Sequence, residues 1–133
     1  MNAHCAFCEI LRDDSKVRII DQNEFAIAIK DGFPITTGHT LLIPKRHIQS
    51  FFGMSEQERV AIFKLLDDAK KSLDQEYSPD AYNIGINDGK EAGQTVPHLH
   101  IHLIPRYKGD IEDPRGGIRW IMPGKADYWS ITQ

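Results

Sequence analysis

Long apolar runs are missing from this chain. No stretch approaches the roughly 20 apolar residues that a membrane-spanning helix needs, and the first residues lack the charged-then-apolar pattern of an export signal. We therefore expect a cytoplasmic protein that has no membrane partner.

An excess of either charge is also missing. The 133 residues include 16 Lys and Arg and 19 Asp and Glu, so the formal net charge is −3 with histidine neutral. Because no basic block occurs, we do not expect nucleic acid as a partner. A ligand that carries phosphate must then be held by local donors and not by a general positive field.

Cysteine is scarce, with Cys5 and Cys8 alone in the chain. A structural disulfide is not expected in a cytoplasmic protein, so these side chains are better interpreted as thiols, redox groups or metal ligands. A single Cys-x-x-Cys pair arises easily by chance, and the pair alone is a weak signal.

The order of the predicted elements favours an α+β fold. At this length, and with 41% apolar residues, one domain with a real core is expected. Hydrophobic periodicity predicts helices at 5–12 and 55–77 and strands at 17–21, 25–30, 39–43 and 81–87. Strands, one long helix and further strands favour a mostly antiparallel sheet. In the tail we predict a turn at 113–117 and an extended segment after it, with Trp120, Tyr128 and Trp129 packing the tail onto the body or a partner.

The most informative feature is a set of three histidines at alternate positions: His98, His100 and His102. Alternation with apolar residues predicts a strand whose histidines share one face, while Leu99, Ile101 and Leu103 face the core. This would align three groups that exchange protons near neutral pH. A half-buried strand also needs polar outer residues, and composition alone produces such a triple about once in 100 chains of this kind.

Several ordered blocks resemble one family. The run 98–104 matches the histidine-triad signature of His, apolar, His, apolar, His, apolar, apolar. Residues 38–47 resemble the family's second block, and Asn87 with residues 93–95 resembles the loop before the triad. The chain is identified as a bacterial-type member of the histidine-triad (HIT) superfamily. Residues 93–96 are similar to the fragile-histidine-triad hydrolases, whereas Cys5, Cys8 and residues 45–47 are similar to the nucleotide-binding branch.

This resemblance implies a HIT-like fold over residues 1–133, with a C-terminal extension from about residue 108. The expected fold has an antiparallel sheet of about five strands, one long helix and a short N-terminal helix, and the family forms two-fold homodimers. The implied activity is that of a hydrolase or transferase cleaving at the α-phosphate of a purine nucleotide conjugate, such as diadenosine tetraphosphate. Two alternatives stay open: a purine nucleoside phosphoramidase, and a regulatory nucleotide-binding module with negligible catalysis.

The resemblance also assigns roles within the site. His100 matches the nucleophile that forms a nucleotidyl-histidine intermediate, His102 would donate to the phosphate or the leaving group, and His39 would orient the triad. Asp31 matches the ribose-binding position, although an Asp beside Gly is often only a turn former. The remaining nucleotide-binding candidates are Asn87, Gln94 and Thr95 at the phosphates and Phe7, Ile10 and Ile29 at the purine, where ordinary core packing is the alternative.

Metal binding is the last expectation. In zinc-containing relatives two N-terminal cysteines, the His after the Lys-Arg pair and the first triad His form a tetrahedral site, which here means Cys5, Cys8, His47 and His98. Two thiolates and two imidazoles suit a closed structural Zn²⁺ site, and Mg²⁺ could accompany the substrate phosphates. A catalytic zinc held by all three triad histidines is disfavoured, because successive same-face strand positions lie about 6 to 7 Å apart.

Overall fold

A five-stranded antiparallel sheet forms the centre of the computed structural model, which describes residues 5–12 and 18–130. The strands are β1 Ile19–Gln22, β2 Ala26–Lys30, β3 Thr40–Pro44, β4 Ala81–Gly85 and β5 Ile101–Arg106, and the α-helices are α1 Ala6–Arg12 and α2 Glu56–Tyr77. The order across the sheet is β1-β2-β3-β5-β4. The α+β class and the expected set of five strands with one long and one short helix are confirmed.

Alternation along the strands divides the core into two clusters, one on each face of the sheet. On the first face the sheet packs against the apolar stripe of α2, whose buried residues are Ile62, Leu65, Ala69 and Leu73. On the second face it packs against α1, through a cluster made of Cys5, Phe7, Cys8, Ile27, Ile29, Leu41 and Ile43. The second cluster places α1 and its two cysteines beside the histidine run.

The start of α2 follows its sequence signals. Ser55 caps the helix, with its side chain accepting from the Glu58 amide at 3.1 Å while Glu58 Oε1 accepts from the Ser55 amide at 2.8 Å. This reciprocal capping box confirms the predicted start. The helix ends at Tyr77, and Ser78 follows in a left-handed conformation with φ of 49°. None of the helices within 5–12 and 18–130 has the length and apolarity that crossing a bilayer requires.

The strand predicted over the histidine run is shorter than expected. Regular pairing begins only at Ile101, so the strand prediction is wrong for His98 to His100. Pro97 has no amide hydrogen to extend the ladder, and the Leu99 amide donates instead to Ile48 O at 2.7 Å. Leu99 is nevertheless buried in the α2-side cluster with the strand residues Ile101 and Leu103, as the alternation predicts.

Other element ends differ by a few residues. β4 ends at Gly85 and not at residue 87, so Asn87 lies in the following loop. β3 begins at Thr40 and includes Pro44, which pairs with Ala26. β1 begins at Ile19, and the predicted first residue of that strand, Val17, lies outside the described residues.

The tail contradicts the predicted extended segment. Two 3₁₀ helices, Gly117–Ile121 and Pro123–Lys125, occupy this region instead. Gly116 and Gly117 have φ values of 89° and 43°, which glycine adopts without strain. These values bend the chain at the start of the first 3₁₀ helix. The tail aromatics pack largely within the tail: the Arg115 guanidinium lies 4.7 Å from the Trp129 ring, and Trp120 Nε1 donates to Arg115 O.

Candidate active site and metal centre

Four metal-ligating side chains from three separate segments meet on the α1 side of the sheet. Cys5 and Cys8 flank the start of α1, His47 follows β3, and His98 precedes β5. Their ligand atoms all lie within 4.8 Å of one another. Nδ1 of His98 is 3.4 Å from Cys5 Sγ, 3.5 Å from Cys8 Sγ and 3.2 Å from His47 Nδ1, and Cys8 Sγ is 3.2 Å from His47 Nδ1.

This cluster fits a tetrahedral zinc ion. Bond lengths of about 2.3 Å to sulfur and 2.0 Å to nitrogen give ligand-to-ligand edges of about 3.3 to 3.8 Å, close to the distances observed here. His98 Nε2 lies 2.8 Å from Pro44 O and must donate to that carbonyl, which leaves the Nδ1 lone pair facing the thiols. The donor set and the ring orientation therefore both suit Zn²⁺.

His100 is buried, and its ring has a defined orientation. Its Nδ1 lies 2.9 Å from the backbone oxygen of His98, so Nδ1 carries the hydrogen and donates it. The lone pair of the neutral ring is then on Nε2. The Phe7 ring packs edge-on against His100 with centroids 5.0 Å apart. An imidazole held this way can use Nε2 as a nucleophile.

His102 and His39 form a second pair beside His100. His102 Nδ1 lies 2.9 Å from His39 Nε2, and the His100 and His102 rings are 5.1 Å apart. His39 Nε2 is also 3.3 Å from Asp31 Oδ2. On the opposite side of the His39 ring, Nδ1 accepts a hydrogen bond from the Ile35 amide at 3.2 Å.

Burial keeps this pair neutral at pH 7. It lowers the pKa of His39, and the Asp31 carboxylate offsets only part of that effect. Burial, with smaller contributions from His100 and His39, lowers the pKa of His102 from 6.5 to about 4. A neutral imidazole has one donor and one acceptor nitrogen, so each of these rings can pass on a directed hydrogen bond.

The predicted phosphate-binding residues lie in the loop before the triad in different settings. Thr95 is exposed and Asn87 is half-buried. The Gln94 amide is already used internally: Oε1 accepts from the Gly89 amide at 2.8 Å, and Nε2 donates to Gln49 O at 3.0 Å and to Val96 O at 3.1 Å. The Gln94 side chain therefore shapes this loop.

The predicted ribose and purine residues also differ in what they offer. Asp31 keeps Oδ2 near His39 while Oδ1 accepts from the Phe33 amide at 2.7 Å. Ile10 is partly buried against the α1-side cluster. Phe7 is 6% exposed and Ile29 is 0% exposed, so protein already covers Ile29 and leaves it little surface for a base.

The three triad histidines do not converge on one point. His98 faces the cysteines, His100 faces a backbone carbonyl, and His102 faces His39. Sequence reasoning missed the backbone groups that orient them: the carbonyl oxygens of Pro44 and His98 and the amide of Ile35. No side-chain pattern signals these groups, since every residue has a backbone carbonyl and every residue except proline has a backbone amide hydrogen.

Comparison with known proteins agrees with the family resemblance found in the sequence. The HIT domain family model matches residues 12–109. An uncharacterized 16.1 kDa HIT-like protein of Mycoplasma pneumoniae is 36% identical over 107 residues, which are 80% of this chain and 74% of that relative. An asymmetrical bis(5'-nucleosyl)-tetraphosphatase of Schizosaccharomyces pombe is 40% identical over 80 residues, 60% of this chain and 44% of that protein.

A solved structure is similar over most of this chain. The crystal structure of a Zn-bound histidine triad family protein from Mycobacterium smegmatis has a TM-score of 0.73 and 35% identity, covering 80% of this chain and 78% of that one. The family includes hydrolases of nucleotide phosphoanhydride bonds, as the tetraphosphatase shows. With its sheet, its histidine cluster and a family match over most of its length, this chain belongs to the HIT domain family.

Proposed function

We propose that this protein cleaves at the α-phosphate of a purine nucleotide conjugate, of which a dinucleoside polyphosphate such as diadenosine tetraphosphate is the leading candidate. The observation that carries the proposal is the orientation of His100, whose Nδ1 hydrogen is held by the His98 carbonyl while Nε2 keeps its lone pair. A donor ring, His102, lies beside it.

The reaction has two displacement steps. His100 Nε2 attacks the α-phosphorus, a nitrogen–phosphorus bond forms, and the bond between phosphorus and the leaving group breaks. A hydrogen bond from His102 stabilises the charge that develops on the leaving group or a phosphate oxygen. Water then attacks the nucleotidyl-histidine, which releases the nucleoside monophosphate, a proton and free His100.

The substrate is held by neutral donors and one acceptor. We assign Asp31 Oδ2 to the ribose hydroxyls, because Oδ1 is already used by the Phe33 amide. We assign Thr95, which is exposed, and Asn87, which is half-buried, to the phosphates, and Gln94 to support of their loop. Ile10 has exposed surface for the purine, whereas Phe7 and Ile29 are buried in the cluster against which Ile10 packs and support it from below.

The test compares wild type with His100→Ala on two substrates, diadenosine tetraphosphate and an adenosine 5′-phosphoramidate, following AMP release. Wild type should release AMP faster from the tetraphosphate and His100→Ala should release almost none. Binding of AMP by the variant serves as the control for folding. Mass spectrometry of a rapidly quenched wild-type reaction should find AMP attached to the peptide that contains His100.

Three outcomes would overturn parts of this proposal. Full turnover by His100→Ala would remove the nucleophile assignment. Faster release from the phosphoramidate would favour the alternative of a phosphoramidase. Binding of AMP with no turnover of either substrate would favour the regulatory nucleotide-binding module.

We also propose that Cys5, Cys8, His47 and His98 hold a structural zinc ion. The ligand distances support this assignment, as does the zinc in the M. smegmatis relative. When bound, zinc would tie α1 to the sheet, and four protein ligands leave it no open position for substrate. Mg²⁺ is kept only as a companion of the substrate phosphates, since the Asp31, His39 and His102 cluster offers one carboxylate where Mg²⁺ prefers several oxygen ligands.

A homodimer is the third proposal. Val60 and Phe63 on α2 are 67% and 43% exposed, and Ile84 on the edge strand β4 is 55% exposed. Exposed apolar side chains on α2 and on the edge strand β4 support pairing of two copies through these two elements. Sedimentation should give twice the chain mass, and Ile84→Lys should shift the protein towards monomer. A monomeric wild type would end this proposal.

A further inference from the structure

We propose that the backbone amide of Ile35 fixes the direction of a hydrogen-bond relay through His39, so that His102 presents its Nε2 hydrogen to the substrate. Ile35 is thus a positioning residue that acts through its main chain. This inference rests on the proposed function only for its catalytic consequence, because the relay itself is a property of the free protein.

The relay begins at a backbone amide, a group that can donate a hydrogen bond but cannot accept one. A backbone amide is only a donor, and the Ile35 N–H points at His39 Nδ1 over 3.2 Å. Nδ1 must therefore accept with its lone pair, and the single hydrogen of neutral His39 must be on Nε2. A hydrogen on Nδ1 would place two donors against each other in a buried position, since His39 is 5% exposed.

In the second step, the tautomer of His39 determines the tautomer of His102. His39 Nε2 faces His102 Nδ1 at 2.9 Å and Asp31 Oδ2 at 3.3 Å. Since His39 Nε2 carries the hydrogen, His102 Nδ1 accepts it, and the hydrogen of neutral His102 is on Nε2. Asp31 also favours a hydrogen at this position, because its carboxylate can only accept.

The loop that carries Ile35 is held in place although Ile35 is 71% exposed. At its start the Asp31 amide donates to His39 O at 3.0 Å, and near its end the His39 amide donates to Thr36 O at 3.2 Å. Gly38 closes the loop with φ of +91°, where a Cβ would come within 3.0 Å of Leu73. The amide of Ile35 is therefore fixed relative to the ring it contacts.

The relay gives the two reacting rings opposite tautomers. His100 has its hydrogen on Nδ1, bound to the His98 carbonyl, and its lone pair on Nε2. His102 has its lone pair on Nδ1 and its hydrogen on Nε2. Two neighbouring histidines become a nucleophile and a donor because different backbone groups face them.

The same geometry disfavours a cation at Asp31, His39 and His102, although their ligand atoms are within 4.8 Å of one another. Binding a metal through His39 Nε2 would require the ring hydrogen to move to Nδ1, against the Ile35 amide. The cluster therefore directs hydrogen bonds and is not a second metal site.

The first test needs no variant and no substrate. Two-bond ¹H–¹⁵N correlation spectra of the ¹⁵N-histidine-labelled protein, purified without chelators and recorded at pH 7, report which nitrogen of each ring bears hydrogen. We expect hydrogen on Nε2 of His39 and His102 and on Nδ1 of His100. Hydrogen on Nδ1 of either His39 or His102 would overturn the relay, whether or not the protein turns over any nucleotide.

The second test removes the amide and keeps the ring. Ile35→Pro has no N–H to give, and Ile35→Ala is its matched control because it keeps that group. Relative to Ile35→Ala, the proline variant should lower kcat about tenfold, since a wrongly placed ring hydrogen is costly in catalysis. Its affinity for AMP should change by less than about twofold, and its spectra should show mixed tautomers at His39 and His102.

A His39→Gln background separates the relay from loop damage. The Gln amide offers His102 a donor that does not depend on Ile35, so adding Ile35→Pro should cost little more in kcat. An equal loss in both backgrounds would mean that proline disturbs the loop and that the relay is wrong. Unchanged tautomers in Ile35→Pro would overturn it as well.

Discussion

Three histidines that look equivalent in sequence have three different surroundings. His98 turns one nitrogen to Pro44 O and the other to the cysteines, His100 donates to a carbonyl, and His102 pairs with His39. What each ring can do follows from the donor or acceptor that faces it, because neutral imidazole has one of each.

The low pKa of His102 makes stability depend on pH. An unfolded histidine takes up a proton near pH 6.5, whereas folded His102 does so only near pH 4. Between these values the unfolded state binds more protons, so the free energy of unfolding falls as the pH is lowered from 6.5 to 4. His102→Gln removes this contribution. In the variant, the slope of the free energy of unfolding against pH should be smaller than in wild type by up to about 1.4 kcal/mol per pH unit.

Urea unfolding at several pH values between 4 and 7 measures both slopes. Loss of the proposed metal in acid would affect wild type and variant together, so the difference between them isolates the ring at position 102. Equal slopes would show that His102 titrates alike in the folded and unfolded chains.

At the scale of elements, the start of α2 is tied to the turn that follows β3. Arg46 donates to both carboxylate oxygens of Glu58, at 3.0 and 2.7 Å, and to Gly53 O. This guanidinium and the Ser55 cap hold the pKa of Glu58 at about 2. The turn bearing Arg46 also carries His47, so the helix cap helps to place a proposed metal ligand.

Loss of the Ser55 cap should destabilise the fold. Ser55→Ala removes the side-chain oxygen that accepts from the Glu58 amide and should lower the free energy of unfolding by about 1 kcal/mol. Urea unfolding with fluorescence detection measures this. Ser72→Ala, an exposed position within α2, is the matched control and should change stability by less than about 0.5 kcal/mol. Equal stabilities of the two variants would contradict the capping role.

At the scale of the whole molecule, the cysteine-histidine cluster links distant parts of the chain. Cys5 and His98 are 93 residues apart in sequence, and His47 comes from a third segment. A metal ion here would restrain α1, the turn after β3 and the start of β5 together. Because His98 O also accepts from His100, the cluster borders directly on the proposed nucleophile.

Metal removal should therefore weaken the whole fold. A ligand that binds only the folded state stabilises it by about 4 kcal/mol when its free concentration is a thousand times its dissociation constant. Calorimetry with and without EDTA should show a lower melting temperature after chelation, and metal analysis should find one zinc per chain. The double variant Cys5→Ser, Cys8→Ser should have a lower melting temperature than wild type, and neither zinc nor EDTA should change it. A zinc-free wild type, or one whose melting ignores EDTA, would contradict the zinc proposal.

Much of the fold could be predicted from sequence because its signals are local. The apolar stripe and the Ser55–Glu58 pair specify α2 and its start, since helix periodicity and capping depend on residues three or four apart. Alternation in the histidine run correctly predicts that Leu99, Ile101 and Leu103 face the core. The ordered family blocks identify the HIT fold and nominate the site residues.

Only the tertiary structure decided how those residues are used. Strand pairing begins only at Ile101, because Pro97 has no amide hydrogen to donate and the Leu99 amide donates to Ile48 O instead. The Gln94 amide is used within its own loop, and the glycine pair at 116–117 turns the tail into 3₁₀ helices. The ring hydrogens of the histidines are directed by backbone carbonyl and amide groups, which are not specific to any side-chain type. Sequence therefore determined which side chains are present, and folding determined which donor or acceptor each of them meets.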